Sequence, residues 1–289
     1  MIDRYLGGVD WDEAPPEMGL EESYGDILAQ AGDILGRLRA VATSAEFEPG
    51  EAERLAVRLY VRAPALVNVV LNYKICVEHG LPLHPTVYYE LAEARRYRVE
   101  HPITELESAN RLFRASIEMA RAVYRLDENW ERIFSAFRAL LPQELLRFIY
   151  TSGPDRYTWR ASEPAKLSAL AAKLAASFAP DLIVAAAHGS IMPGLLLAEY
   201  LDVPLYFVRF SMFKRMDEAP IVSLGDEVWL SAWREGKALL YDEDVAKGTT
   251  LELFAKRLSP MFAQAHTACS IRHAGSLFKP DFAAKVWWD

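Results

Sequence analysis

The chain has 289 residues, is 52% hydrophobic and 25% charged, and carries a formal net charge of -8 at pH 7. This composition is typical of a globular protein that can bury a sizeable core without disulfides or a structural metal. The acidic balance argues against a protein whose main task is to coat nucleic acid, so an RNA-binding regulator is disfavoured and nucleic acid is not an expected partner.

Cysteine usage and hydropathy favour a cytoplasmic protein. Cys76 and Cys269 are far apart and belong to no CxxC pair, so we expect two reduced thiols. Residues 1–12 are acidic and lack the basic start and apolar core of a signal peptide. No apolar run reaches the ~18 residues of a membrane span, so we expect no membrane partner.

Residues 1–153 predict an all-α domain, to which the sequence assigns no role. Apolar residues recur at helical spacing through residues 106–124 and again through 130–141. We interpret these aromatic-rich stripes as helix packing rather than as a ligand pocket. The turn-rich stretch at residues 152–155 predicts a domain boundary after residue 153.

Residues 154–289 show a different rhythm, in which short apolar runs alternate with helical patterns. Residues 181–187 form a run typical of a strand buried on both faces. Residues 214–236 are predicted to form a long loop with a hairpin near residues 228–233. The other predicted elements are strands at 203–208, 237–241 and 266–271, and helices at 164–178, 192–201 and 250–258. Such alternation predicts an α/β, Rossmann-like domain with a parallel sheet, whose ligands bind at the carboxyl ends of the strands.

The most informative segment is residues 239–251, in which an apolar strand is followed by acids, a glycine, two threonines and a helix. Carboxylates such as Asp242 and Glu243 can accept hydrogen bonds from the vicinal hydroxyls of a ribose. Gly248 lets the backbone approach a phosphate closely. Threonine hydroxyls and the free amides of a helix N-terminus can then bind that phosphate.

This segment resembles the phosphoribosyl diphosphate-binding motif of the type I phosphoribosyltransferases, in which two adjacent acids end a buried strand and a Thr-Gly-x-Thr loop follows. The resemblance implies that Asp242 and Glu243 are catalytic residues that hold the ribose hydroxyls and a Mg2+ ion. It also implies a set of residues around the 5'-phosphate: Ala246, Lys247, Gly248, Thr249 and Thr250.

Two flanking segments extend the resemblance over residues 181–289. His188, Gly189 and Ser190 lie where the family has its diphosphate loop, so His188 is a catalytic candidate and the other two are candidates to bind phosphoribosyl diphosphate. The Lys-Pro-Asp-Phe stretch at 279–282, followed by two tryptophans, is similar to the ending of purine-type members. The resemblance therefore gives three base-binding candidates: Arg272, Trp287 and Trp288.

Several positions depart from the family's pattern. His188 replaces a basic residue and Ala246 replaces an aspartate near the base. The other departures are Ser190 for glycine, Asp244 for an apolar residue and Lys247 for threonine. A Rossmann-like domain whose acidic turn only happens to match the motif is a further interpretation.

The resemblance implies a magnesium-dependent phosphoribosyltransferase that transfers the 5-phosphoribosyl group between phosphoribosyl diphosphate and a nitrogen base. Its partners would be small molecules (phosphoribosyl diphosphate or a nucleoside monophosphate, and a base), and a homo-oligomer is compatible with the sequence. A long loop at residues 213–233 would close over the site, with Lys214 and Arg215 meeting the diphosphate. The alternative is a catalytically weak or inactive sensor or regulator of the same fold, which the residues at 188 and 246 favour.

Overall fold

The computed structural model describes residues 1–43, 48–212 and 215–288. The chain divides into two compact units, Met1–Asp155 and Arg156–Asp289. The sequence analysis placed this boundary after residue 153, within the same turn-rich stretch.

The N-terminal unit is built from helices that pack around one long central helix. Its α-helices in the described residues are α1 (Tyr24–Thr43), α2 (Pro49–Glu78), α3 (Ala94–Tyr97), α4 (Ile103–Arg125) and α5 (Trp130–Leu140). Short 3-10 helices lie at Ile2–Tyr5, Pro16–Met18, Leu91–Glu93 and Gln143–Arg147. The central helix α2 packs against α1 and α4. Tyr60 and Tyr124 stack between α2 and α4 with ring centroids 4.8 Å apart, so the aromatic stripes serve helix packing, as interpreted from the sequence.

This unit is not purely helical. Strands β1 (Leu20–Ser23) and β2 (Ile149–Ser152) pair in antiparallel orientation. The prediction of an all-α domain is corrected on this point. Each strand has only four residues, which is too short for an alternating pattern to be distinguished from a loop.

Helix α2 is long and apolar enough to cross a membrane by length and composition, which the sequence analysis did not anticipate. Of its most apolar 18-residue window, 78% is buried inside the protein. The core helix of a soluble protein passes the same test, so this single helix is weak evidence for a membrane span.

The C-terminal unit contains a five-stranded parallel sheet packed with helices, which confirms the predicted α/β class. The strands are β3 (Leu182–Ala187), β4 (Leu205–Arg209), β5 (Lys237–Val245), β6 (Gln264–His273) and β7 (Phe282–Trp287). The helices are α6 (Arg156–Ala161), α7 (Pro164–Ser177), α8 (Ile191–Leu201), α9 (Leu224–Ser231) and α10 (Thr249–Leu258). Every residue of β3 is buried, as expected for a central strand of a parallel sheet.

The strand order is β4-β3-β5-β6-β7, and all neighbouring strands are parallel. From β3 the chain moves outward to β4 on one side and then returns to β5 on the other side. The connections after β3 and after β5 therefore run in opposite directions, which makes the carboxyl ends of these two strands the topological switch point of the sheet. In open α/β sheets this switch point is where ligands bind.

The segment predicted as a hairpin is instead helix α9. Ser223 and Asp226 form a reciprocal capping box, in which the Ser223 hydroxyl accepts from the Asp226 amide and the Asp226 side chain accepts from the Ser223 amide. Trp229 stacks on Tyr206 of β4 with ring centroids 4.4 Å apart. The hairpin prediction was wrong because the capping-box spacing was overlooked.

Two strands also differ from the prediction. Strand β5 continues to Val245 rather than ending at Tyr241, because β6 pairs with it through Asp242↔Cys269 and Asp244↔Ile271. The acids therefore lie within the strand, beyond the point where pairing with β3 ends at Ala185↔Tyr241. Strand β7 was not predicted, and it extends the sheet by pairing with β6.

A buried ion pair fixes the segment that follows β4. Arg209 donates from Nε to Asp217 Oδ2 at 3.2 Å and from Nη2 to Asp217 Oδ1 at 2.9 Å. Asp217 Oδ2 also accepts a hydrogen bond from the Ser211 amide at 2.8 Å. The two charged side chains are only 2% and 6% exposed, so Asp217 and Ser211 are anchored to the end of β4.

Asp217→Ala should lower the free energy of unfolding by about 3 kcal/mol, because it removes the carboxylate from a buried guanidinium. The control is Glu227→Ala, which breaks an Arg257–Glu227 pair whose side chains are 43% and 45% exposed and should cost less than about 1 kcal/mol. Urea denaturation of both variants checks the contrast, and equal losses would contradict it.

Candidate active site at the switch point between β3 and β5

Two adjacent carboxylates lie at the switch point. Asp242 and Glu243 occupy the last part of β5, beyond the Ala185↔Tyr241 pair at which its pairing with β3 ends. Asp242 is buried, and Glu243 donates its backbone amide to Asp242 Oδ1 at 3.1 Å. The strand thus brings together both acids that the sequence analysis proposed as ribose and metal ligands.

The turn after β3 contacts this acid pair through Ser190. The Ser190 hydroxyl donates to Glu243 Oε2 at 2.6 Å and lies 3.3 Å from Asp242 Oδ1. Ser190 is fully buried. Its side chain therefore binds the acids, whereas the sequence analysis proposed it as a phosphoribosyl diphosphate ligand.

Gly189 leaves the space that the Glu243 carboxylate occupies. A Cβ atom built at position 189 would lie 1.7 Å from Glu243 Oε1. Because the carboxylate is the far end of a flexible side chain, a residue larger than glycine would move the carboxylate away from Ser190 rather than disrupt the fold. His188 precedes this glycine, is half-buried and follows a cis peptide bond with Ala187.

The environment of Asp242 favours its neutral form. Burial raises the pKa of its carboxyl well above the ordinary value, and the charges of Glu243 and Asp244 raise it further. The hydrogen bond from Ser190 acts in the opposite direction. The free protein therefore keeps a destabilised acid at this position, which a ligand with hydroxyl donors or a cation would relieve.

The loop after β5 ends in a helix N-terminus that is capped by glycine. Gly248 is the N-cap of α10 and has a φ of 92°, a left-handed conformation that favours glycine. Since glycine has no side chain with which to cap the helix, the first amides of α10 can face a bound anion. Thr249 is exposed and Thr250 is half-buried. Ala246 and Lys247 are also exposed in the same loop.

Residues 276–278, in the connection between β6 and β7, contact this loop. A Cβ atom at position 248 would lie 2.5 Å from Phe278 Cβ and 3.0 Å from Ser276 Oγ. The Leu277 amide donates to the Lys247 carbonyl at 3.2 Å. The connection between β6 and β7 therefore packs directly against the loop, a contact that was not predicted.

The base-binding candidates lie at the ends of β6 and β7. Trp287 stacks on His273 with centroids 6.0 Å apart, and the Arg160 guanidinium lies 4.5 Å from the Trp287 ring centroid. Trp288 is 79% exposed. Arg272 is half-buried, and its Nε has no hydrogen-bond partner within the described residues. The base-binding roles of Arg272, Trp287 and Trp288 stay predictions.

The sequence analysis did not find the partner of Asp244. His273 Nε2 lies 3.1 Å from Asp244 Oδ1, and both side chains are mostly buried. The signal was available, because an acid stands where the resembled family has an apolar residue. Arg160, which covers Trp287, comes from the helix that opens this unit and was not foreseeable from the motif.

The described residues contain no group of three or more His, Cys, Asp or Glu side chains that could hold a metal ion. Asp242 and Glu243 nevertheless offer the carboxylate oxygens that magnesium prefers, and magnesium usually keeps several waters and binds through one or two carboxylates plus substrate oxygens. Asp242 and Glu243 could therefore supply two of the ligands of a magnesium ion that also binds substrate oxygens.

Of the two diphosphate ligands predicted on the loop after β4, Lys214 and Arg215, only Arg215 lies within the described residues. Phe213 and Lys214 lie outside the described residues. Arg215 donates its amide to the Ser211 carbonyl at 3.1 Å, within the segment anchored by Asp217. Because residues 224–231 form a packed helix, the part of this loop that could close over a ligand is shorter than predicted.

Several solved structures are similar to part of this chain. A purine phosphoribosyltransferase from Pyrococcus horikoshii matches with 24% identity and a TM-score of 0.35, covering 42% of this chain and 80% of that chain. A xanthine-guanine-hypoxanthine phosphoribosyltransferase from Helicobacter pylori matches with 18% identity and a TM-score of 0.32, covering 41% and 77%.

A hypothetical protein from Neisseria gonorrhoeae with bound ppGpp matches with 22% identity and a TM-score of 0.37, covering 44% of this chain and 81% of that chain. The similarity to phosphoribosyltransferases concerns the C-terminal part of this chain. No family model and no curated protein matches the sequence.

Asp242→Asn should raise the free energy of unfolding at neutral pH. A carboxyl whose pKa is raised by folding keeps its proton up to a higher pH in the native state than in the unfolded state, where the pKa is about 3.9. Stability is therefore lost as pH rises through the native pKa, and asparagine escapes this loss. The gain should shrink as pH falls toward about 4, which urea denaturation at several pH values would show. A constant gain across pH would contradict the prediction.

Proposed function

We propose that the C-terminal unit is a phosphoribosyltransferase that transfers the 5-phosphoribosyl group between phosphoribosyl diphosphate and a nitrogen base. One observation carries this proposal: an acid pair, of which Asp242 is buried and Glu243 half-buried, and a glycine-capped helix N-terminus follow one another on the same strand and loop, at the switch point of a parallel sheet. The first can hold vicinal hydroxyls and the second can hold a phosphate, so together they match the two ends of a 5-phosphorylated ribose.

Asp242 and Glu243 would accept hydrogen bonds from the ribose hydroxyls. Both carboxylates lie within hydrogen-bond reach of Ser190, so a hydroxylated ring would find two acceptors side by side. Magnesium, when bound with the diphosphate, would neutralise phosphate charge and be held from the protein side by these two carboxylates.

The loop before α10 would hold the 5'-phosphate. The amides of its first turn, together with the hydroxyls of Thr249 and Thr250, offer hydrogen-bond donors, and the helix dipole favours negative charge there. Lys247 is exposed in the same loop and would add a positive charge. The glycine at 248 allows the left-handed turn that aims these amides outward.

In the reaction, the bond from the ribose anomeric carbon to the diphosphate oxygen breaks and a bond from that carbon to the base nitrogen forms. Diphosphate leaves with the bonding electron pair, and the base loses a proton. Catalysis by this chain would consist mainly of positioning the ribose and stabilising charge around it. His188 and the Gly189 backbone would lie beside the leaving diphosphate.

A second candidate function is a sensor that binds the same ligands without turnover. The observation in its favour is position 246, where Ala246 is exposed and offers no carboxylate beside the base. The nearby acid, Asp244, is paired with His273 instead. A binding protein would need the acid pair and phosphate loop but no group that removes a proton from the base.

The deciding experiment incubates the full chain with phosphoribosyl diphosphate, magnesium and a panel of purine and pyrimidine bases, and measures released diphosphate. Base-dependent release supports the transferase. Calorimetric binding of phosphoribosyl diphosphate without release for any base would favour the sensor. If neither binding nor release is detected, both functions are wrong.

Asp242→Asn combined with Glu243→Gln should abolish detectable binding of phosphoribosyl diphosphate while the protein remains folded. The substitutions keep side-chain shape but weaken acceptance from two hydroxyls and from magnesium, and each charged hydrogen bond is worth about 1.5–3 kcal/mol. Calorimetry checks this result. The matched control is Glu252→Gln, which removes the charge of an exposed acid on α10. Wild-type affinity in the double variant would disprove the role of the acids.

The two C-terminal tryptophans should behave differently. Trp287→Ala removes a ring that lies between His273 and Arg160 and should mainly lower stability. Trp288→Ala should weaken base or nucleotide binding by a factor of roughly ten to a hundred, since stacking of a base on an aromatic ring is worth about 1–3 kcal/mol. Thermal unfolding and nucleotide titration separate the two effects, and unchanged binding in Trp288→Ala would remove this residue from the base site.

A further inference from the structure

Ser190 stands at a helix N-cap without capping the helix. It precedes α8, and its carbonyl accepts the Gly194 amide at 2.9 Å, as an N-cap carbonyl should. Serine is favoured at this position because its hydroxyl normally accepts a hydrogen bond from an amide in the first turn. The Ser190 side chain makes no such bond.

The hydroxyl is directed at the acid pair instead. It donates to Glu243 Oε2 at 2.6 Å, a short bond typical of a hydroxyl on a carboxylate. It also lies 3.3 Å from Asp242 Oδ1. Ser223, which caps α9 in the same unit, shows the ordinary behaviour and accepts from the Asp226 amide. The difference between the two serines follows from their surroundings, because the Ser190 hydroxyl faces the carboxylates of Asp242 and Glu243, which lie outside its own helix.

We infer that Ser190 is a positioning residue, which holds the Glu243 carboxylate in place to receive the ribose hydroxyls. This inference rests on the proposed function. Local rules are broken in folded proteins mainly where a site requires it, and here the hydroxyl leaves its helix to bind the acids. With Gly189 leaving room on one side and Ser190 donating on the other, the turn after β3 fixes where Glu243 points.

Ser190 would differ in role from the residues proposed to bind phosphate. Its side chain is fully buried and bound to the acids, so it would act on the ribose through Glu243. A residue that acts in this way should affect ligands in proportion to the hydroxyls that they carry. A residue that only supports the helix should affect all ligands alike.

The test measures the affinity of the full chain for ribose 5-phosphate and for 2-deoxyribose 5-phosphate by calorimetry. Wild type should prefer the ribose form. Ser190→Ala should lose about tenfold in affinity for ribose 5-phosphate and clearly less for the deoxy form, so that the preference narrows. Ser190→Cys, whose thiol is a weaker hydrogen-bond donor of similar size, should have an affinity for ribose 5-phosphate between those of wild type and Ser190→Ala.

Ser223→Ala is the matched control, because it removes a serine that does cap a helix. It should lower the melting temperature and leave the preference for ribose unchanged. An unchanged preference in Ser190→Ala, or equal losses for both sugars, would overturn the inference while leaving the proposed function intact. If wild type binds neither sugar phosphate, the proposed function and the inference fail together.

Discussion

The C-terminal unit depends on two adjacent carboxylates at the end of a central strand, of which Asp242 is buried and Glu243 is half-buried. Like charges placed side by side and partly out of water are unfavourable unless they are neutralised, hydrogen-bonded or relieved by a ligand. Here the neighbouring turn supplies one hydroxyl, from Ser190, and an empty space at Gly189. The Ser190 hydrogen bond opposes the rise in the pKa of Asp242 that burial and the Glu243 charge cause, but it does not cancel that rise.

A second acid-based contact lies beside the first. Asp244 is two residues further along β5 and pairs with His273 on β6, which in turn stacks on Trp287 of β7. The carboxyl ends of three neighbouring strands are thus joined by side chains as well as by backbone hydrogen bonds. The ring of Trp287 on the edge strand β7 is held in place by this stack and by the Arg160 guanidinium.

The sequence was sufficient for the parts of the fold that short-range patterns encode. The strand, acid pair, glycine and threonines of residues 239–251 predicted β5, the glycine-containing loop and α10, because each residue type has a local physical reason to be there. Strand β7 and the extension of β5 to Val245 could not be found in this way, since both depend on pairing with β6. The role of Ser190 was equally hidden, because its partner Glu243 is 53 positions away.

Gly189 and Glu243 also constrain how this site can evolve. A side chain at position 189 and the present carboxylate position exclude each other. If a larger residue appears at position 189 first, the Glu243 carboxylate is displaced. If a shorter side chain replaces Glu243 first, a larger residue at position 189 can follow without a clash. The two positions should therefore covary among descendants of this chain, with substitutions at 243 preceding those at 189.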